Sequence, residues 1–117
     1  MRHLYGTGSS VASSNNSSGS FIWAGFANYL STTASTFGNG QLYFPNYSGA
    51  ANKSVFIDSA TENNAIFSYQ GLTAGLWSNT AAITSLRFSG GGSGNFVAGS
   101  TISLYKITKG SGGATVS

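Results

Sequence analysis

The pattern that most constrains this chain is a series of short aromatic and β-branched runs, none of which continues at a helical period. Glycine, serine, threonine and asparagine interrupt each run after a few residues. An amphipathic helix needs apolar residues every 3.6 positions, whereas brief, evenly spaced runs are typical of a sandwich or barrel. The length of 117 residues suits one hydrophobic core rather than two. The sequence therefore predicts a single all-β domain, an antiparallel β-sandwich.

Strand positions follow from the apolar runs and loop positions from the polar ones. The segment Thr7–Ser20 is predicted to be a long polar loop, and Pro45 marks an edge strand because proline cannot donate to a ladder. The sandwich is expected over residues 1–108, with 109–117 as a Gly/Ser tail that is flexible or docks on a neighbour. The predicted strands are Arg2–Tyr5, Ser20–Phe26, Gln41–Tyr47, Ser54–Asp58, Ala65–Tyr69, Ile83–Ser89 and Thr101–Ile107.

Several of these strands are apolar on both faces. Phe21 and Trp23 alternate with Ile22, Ala24 and Phe26, and successive side chains of a strand point to opposite faces. A sheet with one solvated face should instead alternate apolar and polar residues. We therefore expect cover on both faces, from a second sheet, a long loop or another subunit.

Charged residues are too few for most catalytic chemistry. Only 6% of the chain is charged, with Asp58 and Glu62 as the only acids. These two are expected to solvate a loop and to pair with Lys53, and His3 is expected to be an exposed or packing residue. The chain has no cysteine and no G-x-S-x-G motif, which excludes thiolate chemistry and gives no support for a serine hydrolase. The sequence predicts no catalytic, metal or cofactor site, and no enzyme.

Nucleic acid and membrane are also disfavoured as partners. The net charge of +3 comes from scattered lysines and arginines rather than a basic stripe. The longest apolar run, Phe21–Leu30, is half the length that a membrane-spanning helix needs. Surface recognition by aromatic side chains remains. Trp77 is predicted to be buried, while the candidate interface or glycan contacts are Tyr5, Trp23, Tyr29 and Tyr47.

Four stretches of the chain resemble a group of β-sandwich modules from tailed bacteriophages. They are Arg2–Ser10, the turn Asn46–Lys53 and, with the closest similarity, Gly75–Ser85 together with Asn95–Tyr105. The resemblance implies a jelly-roll sandwich without cofactors, in a tail fibre or a capsid-decoration protein of the virion. Its implied partners are copies of itself, with a trimer favoured, and other virion proteins. A host-surface glycan is the alternative ligand, bound through loop aromatics.

The chain departs from these modules at its first strand. In them, further strands of the same sandwich precede the Arg-x-x-Leu strand, whereas here Met1 precedes Arg2 directly. A sandwich without its first strands exposes apolar faces and open edges. The resemblance thus implies a shortened module that a partner or a second copy completes.

Overall fold

The computed structural model describes residues 1–17, 19–27, 33–62, 64, 68–91 and 95–108. In those ranges all regular secondary structure is β, which confirms the all-β class. The strands form one antiparallel sheet in the order β2-β1-β5-β4-β3, and no second sheet is present among these residues. The strands are β1 (Arg2–Gly6), β2 (Val11–Asn15), β3 (Asn39–Tyr43), β4 (Lys53–Thr61) and β5 (Tyr69–Trp77).

The hairpin of β1 and β2 corrects the predicted loop over residues 7–20. Thr7 N donates to Ser10 O at 3.0 Å, and Gly8 has a φ of +84°. Glycine adopts this left-handed conformation without steric cost, which allows the tight reversal. Asn16 N also donates to Met1 O at 3.0 Å. The polar residues of β2 are thus held by main-chain pairing with β1, a cause that hydrophobic patterning does not reveal.

The long strands β4 and β5 form the centre of the sheet and alternate strictly in burial. Along β4, Val55 and Ile57 are buried while Phe56 between them is exposed. Along β5, Gly71 and Gly75 lie on the buried side. The period of two residues is that of a pleated strand with one covered face.

Segment 20–27 covers that face but is not the predicted strand. Gly25 has a φ of +110°, which interrupts an extended conformation, and a Cβ at Gly25 would overlap the Ser59 side chain. The main chain of the segment therefore approaches β4 closely. Ile22 reaches Gly75 and Phe26 reaches Gly71 on the same face. The segment packs across the sheet instead of extending it.

Other strand predictions also need correction. Residues 83–89 and 101–107 form no strand, although each has strand-forming residues. β5 begins at Tyr69, the last residue of the predicted strand Ala65–Tyr69, of which residues 65–67 fall outside the described part. β3 is an edge strand and ends at Tyr43, so the edge position predicted from Pro45 is confirmed. The tail 109–117 lies outside the described residues.

No helix among the described residues is long and apolar enough to cross a membrane.

Candidate functional site: the uncovered face of the sheet

The face of the sheet opposite segment 20–27 carries large apolar side chains without cover from the described residues. Their exposed fractions range from 41% at Leu72 to 74% at Val11. We call this surface the bare face. Its large apolar residues are Leu4, Val11, Tyr43, Phe56, Leu72 and Leu76.

Strand register arranges these residues in rows across the bare face. Leu4 is paired with Leu72 across β1 and β5. In the next row, Phe56 of β4 is paired with Tyr43 of β3. Cross-strand neighbours have Cβ atoms about 5 Å apart, so these residues form a continuous surface. Exposed apolar patches of this kind mark interaction sites.

Two opposite charges flank the apolar centre of the bare face. Arg2 is paired with Ala74, and Asp58 is paired with Leu72. An open depression of about 440 Å³ lies between β2 and β4 and is lined by Arg2, Leu4, Phe56 and Leu72, among others. The face is therefore neutral overall and complementary to a surface that also bears one charge of each sign.

On the covered face, aromatic rings pack around His3. The rings of His3 and Trp23 meet edge to face with centroids 4.0 Å apart, and Trp23 meets Phe26 at 4.5 Å. Phe26 stacks on Tyr69 with centroids 4.3 Å apart, and Tyr5 lies 5.9 Å from Phe26. The candidate contacts Tyr5 and Trp23 are thus packed together, half-buried, in an aromatic cluster.

His3 is a packing residue rather than an exposed one. It is buried, and its Nδ1 is hydrogen-bonded to Thr73 Oγ1 at 3.2 Å. Burial lowers the pKa of His3 from its ordinary value of 6.5, because desolvation disfavours the charged imidazolium. Folding therefore favours the neutral form of the His3 ring.

Lys53 does not pair with Asp58, which corrects the predicted ion pair. The two side chains lie on opposite faces of β4, because their positions differ by an odd number. Lys53 is buried, and its Nζ donates to the main-chain carbonyls of Asn79 at 3.4 Å, Thr80 at 3.0 Å and Ala81 at 2.5 Å. Three carbonyls match the three donors of an ammonium group. Lys53 thereby holds residues 79–81 against the start of β4.

The turn after β5 is shaped to present these carbonyls. Asn79 N donates to Trp77 O at 2.9 Å, and Asn79 Oδ1 accepts from Ala81 N at 2.7 Å. The Lys53 Nζ also lies 5.5 Å from the centroid of the Trp77 ring, which is within cation–π distance. Trp77 is half-buried, so its predicted core position holds only in part.

The two acids do not form a facing pair. Asp58 projects from the bare face, whereas Glu62 follows the end of β4 and accepts from Asn64 N at 2.8 Å and Ser68 Oγ at 3.0 Å. Among the residues that the structure describes, no group of three His, Asp or Glu side chains could hold a metal ion.

Tyr47 is not among the rings that pack around His3. Tyr47 is exposed in the turn after β3, where its carbonyl accepts from Ile83 N at 2.9 Å. Tyr29 falls outside the described residues. Sequence reasoning did not identify the bare face. Its signal is the alternation along β4 and β5, in which Phe56, Leu72 and Leu76 lie at the exposed positions between buried residues.

Comparison with known proteins adds no relative. No protein-family model matches the chain. No curated protein and no solved structure gives a significant match either. The bare face and the covered face are therefore the basis on which a function can be proposed.

Proposed function

We propose that this chain is a structural module of a bacteriophage virion, in a tail fibre or a capsid-decoration protein, and that it acts by self-assembly. The observation that carries the proposal is the bare face, where each of the five strands exposes at least one large apolar side chain. In the assembly a neighbouring copy covers this face, which gives the second layer of the jelly-roll sandwich. The resemblance described above supports the virion as its location and three-fold symmetry as its arrangement.

The size of the bare face supports such a contact. Five strands about 4.8 Å apart span roughly 24 Å, and the nine residues of β4 and β5 extend for about 30 Å. Because β1, β2 and β3 have only five residues each, the flat area of the sheet is on the order of 500 Å². The accessible surface area is larger, because the side chains project from the sheet. A standard stable interface buries about 800 Å² per partner. Burial of the apolar part contributes roughly 25 cal/mol per Å².

The scarcity of charge supports the same role. A face that packs against a copy of itself must not bring like charges together, because unpaired buried charges cost several kcal/mol. The bare face carries Arg2 and Asp58, one charge of each sign, at different strands. A contact between neighbouring copies can therefore place the Arg2 of one copy near the Asp58 of the other.

The test compares two substitutions on the same strand and the same face. Leu72→Ser removes apolar area from the centre of the bare face, and Gln70→Ser is the matched control at an exposed polar position. Completing the burial of Leu72 contributes about 1 kcal/mol per copy, or about 2 kcal/mol per symmetric contact. Leu72→Ser should then weaken association about 30-fold, measured by sedimentation over a range of concentrations. Equal association of both variants would contradict the proposal.

A glycan-binding module is the second candidate, and one observation favours it. Tyr43 and Phe56 are cross-strand neighbours, both about half exposed, beside the depression on the bare face. Two adjacent exposed aromatic rings can stack on a sugar. Binding to a glycan array that is lost in Tyr43→Ala, while the mass in solution is unchanged, would establish this function in place of assembly.

A further inference from the structure

Residues 101–108 form no regular secondary structure and are unpaired within the described structure. Leu104 and Tyr105 are each 82% exposed, and Ile107 is 75% exposed. No hydrogen bond joins residues 101–108 to another described residue. The described residues therefore leave most of the surface of these apolar side chains uncovered.

The same segment has the composition of a strand. In Thr101–Ile107, Ile102 and Leu104 fall on one side, while Tyr105 and Ile107 fall on the other. β-branched and aromatic residues of this kind are enriched in strands, and a strand needs a partner ladder. Apolar residues on both sides indicate a strand that is covered on both faces.

Among the described residues the sheet has two open edges, and each carries one apolar residue on each face. The edge strand β2 has Val11 on the bare face and Ala12 on the covered face, followed by three polar residues. The edge strand β3 has Leu42 on the covered face and Tyr43 on the bare face. Composition therefore does not distinguish the two edges, whereas the position of the segment does.

The segment begins next to the β3 end of its own sheet. Gly99 packs against the Phe37 ring, with 3.5 Å between Phe37 Cζ and the position of a Cβ at Gly99. Phe37 lies two residues before β3 begins at Asn39. Seven extended residues reach about 23 Å, which exceeds the length of the five residues of β3. Copies that associate at this edge bring each segment within reach of another copy's β3.

We propose that residues 101–107 are an exchanged strand that pairs with the open edge of β3 in a second copy of this chain. The inference rests on the proposed function, because it adds a contact at the sheet edge to the contact that covers the bare face. Main-chain hydrogen bonds of the added strand extend the sheet to six strands. Its apolar residues then pack beside Leu42 on one face and Tyr43 on the other.

Cross-linking between single-cysteine variants tests the exchange, because the chain has no cysteine of its own. Gln41→Cys on β3 and Ser103→Cys on the segment are made separately, one with a mass tag. They are mixed in dilute solution, concentrated, and treated with a short bismaleimide. Ser13→Cys on β2 replaces Gln41→Cys in the matched control, since all three positions are exposed.

The mixture of Gln41→Cys and Ser103→Cys should give a cross-linked dimer of one tagged and one untagged chain. The mixture of Ser13→Cys and Ser103→Cys should give no such dimer. Equal yields in both mixtures, or no product in a sample that sedimentation shows to be multimeric, would overturn the exchange and leave the assembly proposal standing. A monomer at all concentrations would overturn both. Cross-linking only within one chain of a Gln41→Cys/Ser103→Cys double variant would assign the strand to its own sheet and also overturn the exchange.

A proline in the segment gives an independent test. Leu104→Pro removes a ladder donor and should weaken association at least about 100-fold. The matched control Leu104→Val keeps strand propensity and should change association only a few-fold. Because Leu104 is so exposed, neither substitution should change the unfolding of the dissociated chain. Association of Leu104→Pro at the strength of the parent protein would contradict the exchange.

Discussion

The close contact at Gly75 gives the sharpest prediction about how the covered face is built. A Cβ added at Gly75 would lie 2.7 Å from Ile22 Cγ2 and 2.7 Å from Val55 Cγ1. Both neighbours must therefore move, and overpacking of this kind typically costs about 1–3 kcal/mol. Gly71 lies on the same strand and the same face, but its added Cβ would meet its nearest atoms at 3.5 Å and 3.6 Å, which is ordinary contact.

Gly75→Ala should thus be less stable than Gly71→Ala by about 1–3 kcal/mol. Both substitutions reduce the entropy of the unfolded chain equally, so their difference isolates the steric cost. Urea unfolding of dilute protein, followed by the fluorescence of Trp23 and Trp77, measures this difference. Thermal midpoints should differ by about 4 °C for each kcal/mol. Equal stability of the two variants would refute the close packing of Ile22 and Val55 against β5.

Two further predictions concern buried polar groups. The free energy of unfolding should fall as the pH drops from 7 to 5.5, by at most about 1.4 kcal/mol per pH unit, because the lowered pKa of His3 makes the unfolded state bind the proton first. His3 is the only histidine, so a slope that persists in His3→Gln would contradict this assignment. Lys53→Met should cost about 1–3 kcal/mol in urea unfolding, since it removes the hydrogen bonds of a charged donor to three main-chain carbonyls. The exposed Arg87→Met is the control, and equal costs would count against the carbonyl contacts of Lys53.

Strand-forming patterns predicted the sheet best where apolar residues alternate. The strand at Arg2–Tyr5 and the core of β4 at Ser54–Asp58 follow directly from such runs, and the structure extends β4 to residues 53–61. The sequence pattern predicts β5 too early, at residues 65–69 rather than 69–77, because Gly71 and Gly75 resemble interruptions of a strand. In the structure their missing side chains make room for Phe26 and Ile22, a requirement set by a segment far away in the chain.

Pairing partners explain the remaining differences. β2 is polar and becomes a strand because β1 lies beside it. Residues 101–107 include strand-forming side chains but form no strand, and no described strand is paired with them. For the candidate surface, patterning established that apolar residues would occupy both faces of the strands. It could not identify Leu72 and Phe56 as the exposed ones, because only the placement of segment 20–27 decides which face is covered.

The mass of the unmodified protein in solution tests the central claim most directly. Sedimentation equilibrium at rising concentration should give a species whose mass is a multiple of the 12.0 kDa chain, because assembly covers the bare face. A single 12.0 kDa species at every concentration, folded and without aggregation, would contradict the claim that this protein works by associating with its own copies.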